Sequence, residues 1–178
     1  MFKPAWLLML GCLLFSATSQ AASKVEIDIY VQEALAELHK QSPAARELTA
    51  RAKGILVFPK VYKAGFWVGG EYGEGALRIG GTNVGYYNIA SASLGLQLGA
   101  QIKSQILLFM TDRALNKFRN SDGWEAGVDG SVAIATFGAG GEIDTQTAQQ
   151  PIIGFIFSNK GLMYNLTIEG SKITPIKR

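Results

Sequence analysis

The sequence predicts an α+β domain: a strongly curved, glycine-rich, mainly antiparallel sheet or small barrel, with N-terminal helices packed on it and one short inserted helix. Three observations lead there. Helical spacing is confined to the first part of the mature chain and to one later segment. After Gly54, alternation and β-branched or aromatic runs take over, and 21 glycines punctuate them. With 48% hydrophobic and 17% charged residues in 178, the chain has the core material of one domain. One Cys and one His are too few for a Cys/His zinc site or a disulfide framework, and they leave little room for nucleophile and base pairings.

Residues 1–21 read as a secretory signal: Lys3, an apolar stretch from Ala5 to Phe15, then Ser19-Gln20-Ala21 with small residues where a signal peptidase reads. Cleavage is expected after Ala21, with Ala22 as second choice. It removes Lys3 and Cys12, leaving 16 cations against 14 anions and no thiol. Gly11-Cys12 also resembles a lipoprotein site, but bulky Leu10 and the apolar run continuing through Phe15 favour an unmodified Cys12. The expected location is periplasmic or secreted, with peripheral membrane association.

Residues 22–178 are expected to form one domain, helical over 24–51 and mainly β over 54–174. From Lys24 to Gln41, Ile27, Val31, Ala34, Leu35 and Leu38 recur at spacings of three and four, an amphipathic helix. Ser42-Pro43 then reads as a cap and first-turn proline opening a second helix through Arg51. Ile55 to Phe58 is a strand stopped by Pro59, and Phe66 to Ile79 a second one broken by glycines. Leu94, Leu96, Leu98, Ala100 and Ile102 alternate with Gly95, Gln97, Gly99, Gln101 and Lys103, predicting a strand whose lysine face is wet. Ile106 to Met110, continuously apolar, should be covered on both faces. Thr111 caps the inserted helix through Arg119, with Ala114, Leu115 and Phe118 as its stripe. Val128 to Phe137, Ile152 to Phe157 and Leu162 to Ile168 complete the expected strands. The leading helices and uneven strands favour a soluble curved sheet over an outer-membrane barrel.

Several blocks resemble the SYLF family, which is related to the yeast Ysc84-type actin-binding domain. They are Ala52-Lys53-Gly54-Ile55-Leu56-Val57-Phe58-Pro59, Ala64-Gly65-Phe66, and Gly69-Gly70-Glu71-Tyr72-Gly73-Glu74-Gly75. Ser93 to Gln101, Ile106 to Met110 with Ala114 and Phe118, and Ser158 to Met163 with Gly170 continue the match. The resemblance spans Leu48 to Ile173 and implies binding of phosphoinositides or other membrane lipids, and of actin in fungal members. Export makes actin an implausible partner. Tyr86-Tyr87-Asn88 departs from the Trp-Ser pair that many members carry.

The leading functional expectation is an exported, non-enzymatic lipid-binding protein. Arg51, Lys53, Lys60 and Lys63 stand together with no acid among them, interleaved with Phe58, Tyr62, Phe66 and Trp67, and form a candidate grip for an anionic phospholipid headgroup. Tyr72 joins this set. Arg113, Lys117 and Arg119 form a secondary basic group, diluted by Asp112 and Asp122. Phe66, Trp67, Tyr72, Leu96 and Phe109 are candidates to line an apolar cavity under the first helix, although residues at such spacings are commonly plain core. The alternative function is an envelope adaptor that binds another protein through a sheet edge or helix.

Other chemistry finds little support. Glu71 and Glu74, three apart on a strand, point to opposite faces, so they make no carboxylate pair. His39 has no helical partner, because Pro43 stands at i+4, and it reads as a surface imidazole. Gly138 to Gly141 lacks the lysine and hydroxyl of a phosphate loop and reads as a turn. Asn165-Leu166-Thr167 fits the glycosylation pattern but lies inside an expected strand. No cofactor or metal is implied, and the low net charge argues against nucleic acid.

Overall fold

A computed structural model describes residues 22–65, 68–94, 99–135, 142–158, 161–162 and 167–178. The first helix, α1 (Lys24–Gln41), begins where the Ser23 side chain accepts a hydrogen bond from the Glu26 N–H, and its stripe Ile27, Val31, Ala34 and Leu38 is buried. Ser42 accepts from the Ala45 N–H and Pro43 takes the first position of α2 (Pro43–Arg51), where no amide donor is needed. His39 is not a free surface imidazole. It is half-buried, with Nε2 2.8 Å from Thr49 Oγ1, and ties the two helices together.

The strands are β1 (Gly54–Gly65), β2 (Val68–Ile79), β3 (Thr82–Leu94), β4 (Gly99–Phe109), β5 (Trp124–Glu125), β6 (Ala133–Ile134), β7 (Ile152–Ser158), β8 (Gly161–Leu162) and β9 (Lys172–Ile176). Two more helices intervene, α3 (Asp112–Arg119), capped by Thr111, and the single turn α4 (Thr145–Ala148). Among the described residues all nine strands share one strongly curved sheet, ordered β5-β9-β3-β2-β1-β4-β7-β6 with β8 beside β7. Every pairing is antiparallel except β6 with β7. The α+β class is as expected.

Apolar cores lie on both faces. On one, α1 and α2 cover Val57, Ala76, Ile106, Leu108, Phe155 and Phe157. On the other, Leu115 and Phe118 of α3, with Trp124, close over Leu56, Phe58, Leu107 and Phe109. The Phe118 ring stacks within 4.8 Å of Phe109 and 4.9 Å of Tyr87, centroid to centroid. Ile106 to Phe109 are thus fully buried, as their continuous hydropathy predicts.

Strand β1 does not stop at Pro59. Its register slips by one residue between Val57 and Lys60 against β2, and between Phe58 and Val61 against β4, the signature of a β-bulge. Proline is tolerated there because it has no N–H for the ladder, and Ser104 Oγ donates to the Pro59 carbonyl at 2.8 Å. Gly75 lets the coiled backbone cross closely, since a Cβ on it would lie 1.9 Å from the Val57 oxygen. Gly80 and Gly81, with φ of +58° and +83°, make the two-residue β2–β3 turn.

Other expectations are corrected. The alternation over 94–103 is not one strand, for β3 ends at Leu94 and β4 begins at Gly99. Its polarity is reversed too: Ile102 is 57% exposed and Lys103 only 2%. Of Val128 to Phe137, only Ala133–Ile134 is strand among the described residues, and Val128 is exposed. Of Leu162 to Ile168, residues 163–166 lie outside the described residues, and Ile168 is buried outside any strand. Gly138 to Gly141, Asn165 and Leu166 also fall outside them.

Candidate functional site

Beyond the bulge, β1, β2 and β4 run past the helices. On the α1 face, Tyr62 pairs across the strands with Tyr72 on one side and Ile102 on the other. These three side chains form one row, 53%, 46% and 57% exposed, and Val68 stands exposed on the same face farther along β2. Large apolar groups set side by side in solvent form a patch, unlike the scattered ones any surface carries. Lys60 borders the row, its ammonium 3.2 Å from the centre of the Tyr30 ring on α1. Between α1 and the row lies a cleft of about 280 Å³, lined by Glu26, Tyr30, Lys60, Tyr62, Tyr72 and Glu74. The Tyr72 hydroxyl donates to Glu74 Oε1 at 2.9 Å, and Arg178 pairs with the same oxygen. Burial, then the Glu74 hydrogen bond, holds the Tyr72 phenol above its ordinary pKa.

The α3 face of the same strands is charged. Lys63 and Glu71 are direct cross-strand partners, with Nζ 3.4 Å from Oε1. Lys103 on β4 reaches both Glu71 oxygens, at 3.0 and 2.8 Å. Two residues along the same face, Gln105 is 1% exposed, and neither its amide nitrogen nor its oxygen has a partner.

The structure therefore disperses the four cations read as one group, and only Lys60 and Lys63 lie on a strand. Arg51 ends α2 and is exposed. Lys53 makes a surface pair with Asp112 at 3.9 Å, of little energetic weight. Lys60 and Lys63, three apart on β1, face opposite sides. Phe66, Trp67 and Leu96 lie outside the described residues. Tyr72 and Phe109 do not line a common cavity, because Phe109 is sealed in the core on the α3 face. Glu71 and Glu74 point to opposite faces, as read.

In the secondary group, Arg113 and Lys117 line a cleft of about 640 Å³ with Trp124 and Asp129, where Lys117 donates to the Asp129 carbonyl. Arg119 is exposed at the end of α3, and its charge tempers the rise that burial gives the Tyr87 phenol. Sequence reading missed Ile102, Lys103 and Gln105. The available signal was Gln101, Lys103 and Gln105, polar at every second position immediately before a wholly apolar run. Among the described residues no group of three or more His, Cys, Asp or Glu side chains is placed to hold a metal, and no helix is long and apolar enough to cross a membrane.

Fold and site together define an α+β domain with one curled sheet, cored on both faces at one end and bare on one face at the other. The family model of Ysc84, described as Las17-binding protein actin regulator, matches residues 90–178, and the chain belongs to this family. The match takes in the end of β3 and everything after it, while the Ala52 to Gly75 blocks lie upstream. A search of curated proteins finds no match.

Proposed function

We propose that this is an exported, non-enzymatic lipid-binding protein that meets the surface of a phospholipid membrane with the bare end of its sheet. The observation that carries the reading is the exposed row Ile102–Tyr62–Tyr72 with Val68 beyond it. Tyrosine suits such a boundary, with an apolar ring and a polar tip that stays hydrated among headgroups. Lys60 at its margin adds a salt-sensitive attraction for anionic lipid. The family is associated with lipid and actin binding. The signal-like N-terminus supports the lipid branch over the actin branch, since an exported chain does not meet cytoplasmic actin.

The test is cosedimentation of the purified protein with phosphatidylcholine vesicles containing graded phosphatidylglycerol, at low and physiological salt. Burying an apolar side chain is worth about 1.5–3 kcal/mol, so the double variant Tyr62→Ser/Ile102→Ser should bind about tenfold more weakly or worse, with its melting temperature nearly unchanged. Lys60→Glu should weaken only the anionic, low-salt component. Undiminished binding by the double variant would overturn the reading.

A further inference from the structure

We propose that the cleft between α1 and β2 is a site for an ammonium group, and that its occupant is the α-ammonium of Ala22, freed when the chain is cut after Ala21. The proposal rests on the export reading given above and is independent of what the bare end of the sheet binds.

Ala22 is partly buried against the α1-side core and lines this cleft together with Glu26 and Glu74. Cutting after Ala21 turns a neutral peptide nitrogen at that place into a charged group with three N–H donors. Ser23, the next residue, caps α1, so the new charge stands beside the positive end of the helix and is repelled by it. It needs a carboxylate close by, and the cleft offers two. Glu26 lies in the first turn of α1 and makes no ion pair among the described residues. Glu74 is the stronger indication. Its side chain is 9% exposed, and its Oε1 is taken by the Tyr72 hydroxyl and by Arg178. Its Oε2 is buried with no hydrogen-bond partner. A buried carboxylate oxygen without a donor is costly, and it marks a place where a donor arrives later.

The remaining cation on the cleft wall is already engaged, since the Lys60 ammonium sits over the Tyr30 ring, 3.2 Å from its centre. Across so small a cleft, about 280 Å³, physiological salt screens the attraction between an ammonium and the two carboxylates only in part. An amine from solution would meet the same chemistry. Ala22 stands in the cleft already, so its ammonium binds without the entropy loss of association. The contact exists only after processing.

Export of the full chain from a bacterial host, with the N-terminus read by mass spectrometry, is the first test. A chain beginning at Ala22 is expected. In that protein the Ala22 α-amino group, followed by carbon-13 methyl labelling, should titrate about one pH unit above its ordinary value of roughly 7.7–8.0, and the rise should vanish in Glu74→Gln. The folded value is the raised one, so the stabilising contribution is present below about pH 8 and is lost as pH rises through the folded value. Two glycines placed ahead of Ala22 carry the charge out of the cleft. They should lower the folding equilibrium constant about tenfold at pH 7, and should change it little in Glu74→Gln.

Titration at the ordinary value, or equal losses from the extension in both backgrounds, would overturn the proposal. So would a processed chain that begins at any other residue, which leaves export standing; an unprocessed chain overturns the export reading with it. Should Glu74→Gln fail to fold, titration of the unaltered protein against its glycine-extended form carries the test.

Discussion

The same strands behave oppositely at their two ends. Near α2 and α3, β1 and β4 are apolar on both faces, with Leu56, Val57, Phe58 and Ile106 to Phe109 wholly buried. Past the bulge, β1, β2 and β4 turn inside out: Tyr62, Tyr72 and Ile102 stand in solvent while Lys103 is buried on the other face. Packing explains the first end completely. It does not explain the second, because exposing three large apolar groups and burying an ion cluster both work against folding. The teaching is a division of labour along one sheet, in which the covered end supplies stability and the uncovered end, on the function proposed above, is shaped for the surface it meets.

That contrast can be broken most severely at the covered end. Phe109→Ala, which deletes a ring packed against Phe118, should cost about 3–5 kcal/mol, read as a lower denaturant midpoint with little change in slope. Next is the ion cluster. Glu71→Gln leaves Lys63 and Lys103 without their shared carboxylate and should cost about 3 kcal/mol, the lower end of what breaking a buried pair does. A cost near zero would mean that water reaches the cluster freely.

The smallest effect sharpens the comparison at the helices over the covered end. Burial, and secondarily the Arg46 charge, lowers the His39 pKa below its ordinary 6.5. The unfolded chain therefore takes up this proton more readily. The stabilising contribution is present above about pH 6.5 and is lost as pH falls through the lowered, folded value. Thermal melts should show a small decline over that window, and His39→Gln should flatten it. A decline that persists unchanged in the variant would assign it to other groups.

How legible each part was depends on how local its cause is. The boundaries of α1, α2 and α3 could be read because the apolar stripe of α1, Ser42-Pro43 and Thr111 act within a few residues of themselves. The buried run Ile106 to Phe109 was legible because its hydropathy leaves it one environment. Strand β1 was cut short because Pro59 reads as a stop unless a bulge receives it, and the bulge exists only in the pairing with β2 and β4. Lys103 was assigned to the wet face because its partner Glu71 lies 32 residues away. In the candidate site, Tyr72, Lys60 and Lys63 were singled out because they stand near one another along the chain. Their division between two faces follows from strand geometry, which proximity along the chain conceals.

The bulge at Pro59 carries one more consequence, for the lengths this chain can take. Phe58 and Val61 both belong to the α3-side core, although their positions are three apart. An unbroken strand would place them on opposite sides. One residue between them is supernumerary, so a chain with Pro59 deleted keeps every inward and outward assignment on β1 and loses only the local bend. Elsewhere along the paired part of β1 the loss of one residue reverses everything beyond it. This is the position at which the strand can change in length during descent without exchanging its dry side for its wet one.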